Sequence, residues 1–174
     1  PYRRQRQMCI RDRDILGKCS SSLFTLNTFY LANKTIVGRK QDKECEKFLL
    51  NYWILVVENM RQWQELLHKE ITKVDLRENF IATQSIVIQA LGRVGNYFYC
   101  NEIEPDDYLT HLNEINWSRN SKQWYLRAIG KNGRIITNKK AALLIANVIK
   151  GTIGIPLTEE EENAEVALAK ILNE

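Results

Sequence analysis

DKECEKFLLNYWILVVENMRQWQELLHK, residues 42–69, carries the clearest periodicity in the chain. Phe48, Leu49, Tyr52, Trp53, Val56, Met60, Trp63 and Leu67 recur at i, i+3, i+4 and i+7 steps. That spacing puts them on one wide apolar stripe of an amphipathic helix. Aromatics at helical spacing belong to a core far more often than to a cofactor site, so the segment predicts a long helix packed along one face. His68 stands at its end with no second ligand nearby and reads as an ordinary histidine.

Outward from this helix the pattern stays helical. Upstream, Ser20, Ser21 and Ser22 offer capping hydroxyls ahead of LFTLNTFYLANKTIVG, and Gly38 is placed as the glycine just past a first helix. Downstream, a third helix is expected from Asp75 to about residue 100, with Asp75 as cap and Glu78 three positions on. Phe80, Ile81, Ile86, Val87, Ile88, Leu91 and Val94 would form its buried face, with Gly92 and Gly95 weakening its end or permitting close packing. Residues 101–105 break the pattern at Pro105. A short helix follows over 106–115, with acids in its first turn, where the dipole favours them. Asn138 can cap a helix reaching about Lys150, and residues 151–156 form a break. Thr158 with Glu161 makes a capping box for a last helix, whose Val166, Leu168, Ala169 and Leu172 would face inward. Glu159 to Glu162 read as first-turn acids and not as metal ligands. The expected fold class is mainly α, with one small β-hairpin near 124–137 built on the Gly130-Lys131-Asn132-Gly133 turn, where an Asn-Gly pair tolerates positive φ.

The stretch WSRNSKQWYLRAIGKNGRIITNKKAALLIANVIK, residues 117–150, holds eight cations and no carboxylate. Trp117, Trp124 and Tyr125 are interleaved with them. Cations neutralise phosphate and flat rings stack on bases, so this composition is the footprint of a nucleic-acid surface. The candidate nucleic-acid-binding residues are Arg119, Lys122, Trp124, Arg127, Lys131, Arg134, Lys139 and Lys140. Residue types alone leave open a solvated basic face whose aromatics belong to the core.

Residues 1–13, PYRRQRQMCIRDR, resemble translated read-through of a sequencing adapter, and they lack both the apolar region of a signal peptide and helical periodicity. Their five arginines and one aspartate account for the whole net charge of +4, leaving 20 basic against 20 acidic residues from Asp14 onward. The basic pI therefore says nothing about partners, and only local asymmetry does. The remaining residues suffice for one mostly helical domain over 14–174 with a real core. Starting at Asp14 without a methionine, that domain reads as the C-terminal part of a longer protein. Cys19, Cys45 and Cys100 are odd in number and widely spaced, which fits a reducing cytoplasm better than a disulfide or zinc framework. No window approaches the roughly 18 apolar residues of a membrane span.

The sequence contains no phosphate loop, no H-E-x-x-H and no G-x-S-x-G, and its two histidines are far apart. No catalytic residue, metal site or cofactor is expected, and the chain does not read as an enzyme. Two motifs are misleading. Residues 128–135 resemble the GXXG loop of KH domains, a weaker RNA or single-stranded DNA alternative, but the flanking strand–helix–helix order is missing. The helices near 139–150 and 158–172 fall short of a helix-turn-helix, because the connection is long and the second helix opens with four glutamates.

The element order, with SSSLFTLNTFYLANKTIVG, NYWILVVENMRQWQELL, DLRENFIATQSIVIQALGRVG and LNEINWSRNSKQWYLRAIGKNGRIIT, resembles the C-terminal half of DndB, the DGQHR-domain family of DNA sulfur modification proteins. The most specific parts are the L-x-x-I-x-W-x-R-N-x-x-x-W run from Leu112 to Trp124 and the S-x-L-F-T-L segment near residue 22. The resemblance implies the helical half of an α+β, ParB-like protein, cytoplasmic and prokaryotic. It implies a DNA-binding negative regulator of the phosphorothioation genes, with homo-oligomers and the N-terminal DGQHR half as further partners. The Asp-Gly-Gln-His-Arg motif that names the family does not occur in these residues. A helical scaffold or oligomerisation module with no nucleic-acid contact is the alternative.

Overall fold

The computed structural model describes residues 23–40 and 42–173. Helix α1, Leu26–Val37, starts where Thr25 Oγ1 accepts the Thr28 N–H at 3.1 Å. The expected caps Ser20, Ser21 and Ser22 lie outside the described residues. Gly38 ends the helix with φ +70, its N–H donating to Lys34 O. A side chain there would be strained, which is why glycine stands at this position.

The long helix expected over 42–69 is two helices. Helix α2, Lys43–Asn59, is capped by Asp42, and α3, Arg61–Leu67, follows after Met60 adopts an extended backbone. The turn drives the fully buried Met60 and the nearly buried Trp63 into the core, while Leu67, 62% exposed, leaves the stripe. Gln64 Nε2 donates to Val57 O at 2.7 Å, satisfying a carbonyl that the broken helix leaves open.

The third expected helix is also divided, into α4, Lys73–Asn79, and α5, Ser85–Asn101. Its cap is Thr72, with Asp75 as the returning acid, three residues earlier than the sequence suggested. Hydrogen bonds from the Thr72 hydroxyl and N–H hold the Asp75 carboxyl below the usual carboxylate range. Between α4 and α5 the backbone pairs elsewhere: Phe80 bridges Ser118, and Ile81 N donates to Trp117 O at 3.0 Å. A helical Phe80–Ile81 would forfeit that pairing.

Helix α5 is the centre of the core. It buries Ile86, Val87, Ile88, Leu91, Val94 and Phe98, and it packs most extensively on α1 and on α7, Lys139–Thr152. Gly92 permits the α1 contact, since a Cβ there would stand 3.0 Å from Ala32 O. Tyr52 of α2 donates its hydroxyl to Leu91 O at 2.6 Å, and Asn96 Nδ2 reaches Ile36 O at 2.8 Å. After Glu102, in the left-handed region, comes α6, Asp106–Leu109, which runs into a 3-10 turn, Thr110–Glu114. Helix α8, Glu159–Asn173, opens with the expected box: Thr158 N to Glu161 Oε2 at 3.0 Å and Glu161 N to Thr158 Oγ1 at 3.4 Å.

The expected hairpin does not form. Among the described residues the 124–137 region holds only isolated bridges, Tyr125 with Ile129 and Ile129 with Ile135. The N–H groups of Arg127, Ala128 and Ile129 all turn back to Trp124 O, and Leu126 takes φ +59. Residues 124–129 thus coil on themselves and cannot extend as a strand, and the GXXG-like loop has no sheet beneath it.

Candidate nucleic-acid interface

The Gly130–Gly133 turn is closed by its own backbone. Gly130 N donates to Arg134 O, Gly133 N donates to Gly130 O with φ +72 at Gly133, and Asn132 Oδ1 accepts from Arg134 N at 3.0 Å. Asn132 and Gly133 therefore keep their expected turn role although the strands are missing. Arg119, eleven or more residues upstream, is folded onto this turn: its Nη2 donates to Gly133 O at 3.0 Å. Its N–H also donates to Asn79 O at 2.8 Å, which fixes the segment to the end of α4.

Beneath the cations lies the Trp117–Trp124 pair, stacked at 5.3 Å between centroids with planes 13° apart and both fully buried. Trp124 Nε1 donates to Asn116 O at 2.7 Å from the 3-10 turn Lys122–Trp124. This corrects the expectation for Trp124: its ring faces are covered by protein and offer nothing to a base. The tryptophans spaced among the arginines belong to the core. Tyr125, 45% exposed, is the aromatic of the stretch that reaches solvent.

One candidate cation, Arg127, and one further cation of the stretch, Lys150, are held by carboxylates. Arg127 is held by Glu165 of α8 in a bidentate pair, with Nη1 and Nη2 each 2.5 Å from a carboxylate oxygen. Lys150 is buried against Glu161, at 2.7 and 2.9 Å from its two oxygens, and lies over the Tyr97 ring. Burial alone would raise the Glu161 carboxyl; the Lys150 and Thr158 hydrogen bonds outweigh it and leave it below its ordinary value. Nothing local in the sequence signals these pairs, which join positions 38 and 11 residues apart.

The other candidates are available. Lys122, Lys131, Arg134, Lys139 and Lys140 are exposed and Arg119 half-buried, and none of the six forms an ion pair among the described residues. Lys139 and Lys140 are the first two residues of α7, behind the Asn138 cap, which accepts the Ala141 N–H at 2.8 Å. Cations at a helix N-terminus oppose the macrodipole, each at a cost of about 0.3–1 kcal/mol. Placed there, they add to the dipole's positive end and strengthen the local field for an anion. Lys122 sits on the turn that seats Trp124.

No group of His, Cys, Asp and Glu that would hold a metal occurs among the described residues. His111 is exposed, with Nδ1 2.7 Å from Glu114 Oε1, and His68 lies at the exposed end of α3. Cys45 Sγ lies 3.0 Å from the Tyr99 hydroxyl, and that contact, with burial, pushes the phenol up to about 12. Among the described residues no helix is long and apolar enough to cross a membrane.

The model of a family described as DndB, DNA-sulfur modification-associated, matches residues 8–156. No curated protein and no solved structure matches the chain.

Proposed function

The chain belongs to the DndB family of DNA-sulfur modification-associated proteins, and from this premise we propose that it is a DNA-binding transcriptional regulator of the phosphorothioate modification system. The observation that carries the proposal is the Arg119–Gly133 hydrogen bond. It gathers Arg119 with the exposed Lys131 and Arg134 on one closed turn, next in the chain to the start of α7, whose first two residues are Lys139 and Lys140. These groups suit phosphate oxygens, contacts that position a protein on DNA without reading its sequence.

If each of the six available cations neutralises one phosphate, log K falls with log salt at a slope of about −5. The test is fluorescence anisotropy with duplex DNA across a salt series, comparing the parent with a Lys131→Glu/Arg134→Glu variant. The variant is expected to bind more weakly and to flatten the slope by about two units. Unchanged affinity and slope would remove this surface from the proposal.

A second reading, a helical interaction module, is favoured by a different observation. Leu26 and Tyr30 on α1 and Leu50 and Ile54 on α2 are 71%, 58%, 66% and 44% exposed. Within each helix the two side chains stand one turn apart, and exposed apolar pairs of this kind favour protein contacts. Sedimentation velocity separates the readings: concentration-dependent association abolished by Leu50→Lys supports the module, and a monomer at all concentrations removes it.

A further inference from the structure

The last helix is attached in an unusual way. Helix α8 buries one apolar side chain, Leu168, while Val166, Ile171 and Leu172 stand 54%, 43% and 48% exposed. Its remaining hold is polar. Glu165 grips Arg127, Glu161 grips Lys150, and Asn147 of α7 donates to both Glu161 O and Glu165 Oε1, at 3.1 and 2.9 Å. The pairs 147 with 165 and 150 with 161 run in opposite directions, so α8 lies antiparallel along α7. The family match ends at residue 156, before α8 begins at Glu159. The helix lies outside the matched residues, and its carboxylates dock it on two cations of the basic stretch.

We propose that α8 is a displaceable acidic strap. Its Glu161 and Glu165 occupy Lys150 and Arg127 in place of phosphate, and a polyanion that competes for these cations releases the helix. Ion pairs that desolvate both partners contribute little net attachment, because the Coulombic gain is largely cancelled. A phosphate can take over the bidentate geometry that Arg127 now offers to Glu165. Release therefore exchanges one set of charge-assisted hydrogen bonds for another and adds two cations to the surface. The DNA form of this inference rests on the DNA-binding reading above, and the strap itself is tested with heparin as well.

The experiment compares the parent chain with Glu165→Gln, Arg127→Gln and the double variant, each checked for folding by circular dichroism. The readouts are binding of duplex DNA and of heparin across a salt series, and amide hydrogen exchange of α8 with and without each polyanion. Glu165→Gln is expected to steepen the salt slope by about one unit, a three- to fourfold larger loss of affinity between about 50 and 200 mM salt. The gain should vanish in the double variant, because Arg127 is then absent. Amides of α8 should exchange faster when the polyanion is bound. Polyanion binding with an unchanged slope in Glu165→Gln and unchanged α8 exchange overturns the strap and leaves the DNA-binding reading standing. Heparin binding that releases α8, with no binding of DNA, supports the strap and overturns that reading. Failure of every folded form to bind either polyanion overturns both. If Glu165→Gln does not fold, α8 exchange in the parent decides alone.

Discussion

Replacing Trp124 with alanine separates a ring that carries the fold from one that touches nucleic acid. The indole is fully buried, stacked on Trp117 at 5.3 Å, and donates Nε1 to Asn116 O at 2.7 Å. Truncating a buried tryptophan costs about 3–5 kcal/mol, from lost transfer energy and the cavity left behind. The lost stack contributes about 0.5–1.5 kcal/mol within that range. Breaking the Nε1 bond adds no orphan, because Asn116 O still accepts Gln123 Nε2 at 2.8 Å. A chain of this length loses roughly 2–4 °C of melting temperature per kcal/mol, so Trp124→Ala should melt on the order of 6–20 °C lower. The assay is thermal unfolding followed by circular dichroism, with DNA binding measured well below both transitions. Tyr125→Ala is the control: the side chain is 45% exposed, and its removal should change stability by less than about 0.5 kcal/mol. If Trp124→Ala melts with the parent yet loses DNA binding, the stacked core pair is not what holds this segment, and the reasoning fails.

The remaining predictions concern packing and charge. Gly92→Ala gains about 1 kcal/mol of helix propensity but forces a Cβ against Ala32 O and Cα at 3.0 and 3.1 Å. Backbone atoms can yield only if α1 moves, and overpacking of this kind costs about 1–3 kcal/mol. A net loss is expected, read as a lower urea midpoint at unchanged m-value; a higher midpoint would contradict it. Lys150→Met leaves the buried Glu161 carboxylate unpaired and should cost about 3–5 kcal/mol, much of it recovered by adding Glu161→Gln. A double-mutant cycle in thermal unfolding checks this, and additive losses would argue against a coupled pair. The Glu161 carboxyl is held below its ordinary 4.5, so its contribution is complete above that pH and is lost as pH falls through the lower, folded-state value. Urea midpoints measured down the acid range should therefore drop in the parent, and drop less in the Lys150→Met/Glu161→Gln variant.

Periodicity made the helical class legible, and capping chemistry placed the starts of the last two helices. Asn138 and Thr158 do what their side chains suggest, because an N-cap is a local contact within one turn. The breaks at Met60 and at 80–84 were invisible for the opposite reason. The apolar stripe continues through both, and what marks each break is tertiary: burial of the Met60 side chain in the core in one case, and backbone pairing of Phe80 and Ile81 with residues 117–118 in the other. The missing hairpin follows the same logic. Gly133 adopts the positive φ that its turn demands, yet the flanking residues prefer Trp124 O as an acceptor, since Trp124 is anchored in the core. For the candidate interface, composition identified the cations but not their partners. Arg127 and Lys131 are only four residues apart and alike in charge, but one is bound by a carboxylate and the other is exposed. A count of charges along a chain gives the sum of the two kinds, and only the tertiary pairing with α8 divides them. The candidate surface is therefore smaller than the basic stretch, six cations without the tryptophans, and under the proposed strap its size depends on whether the final helix is docked.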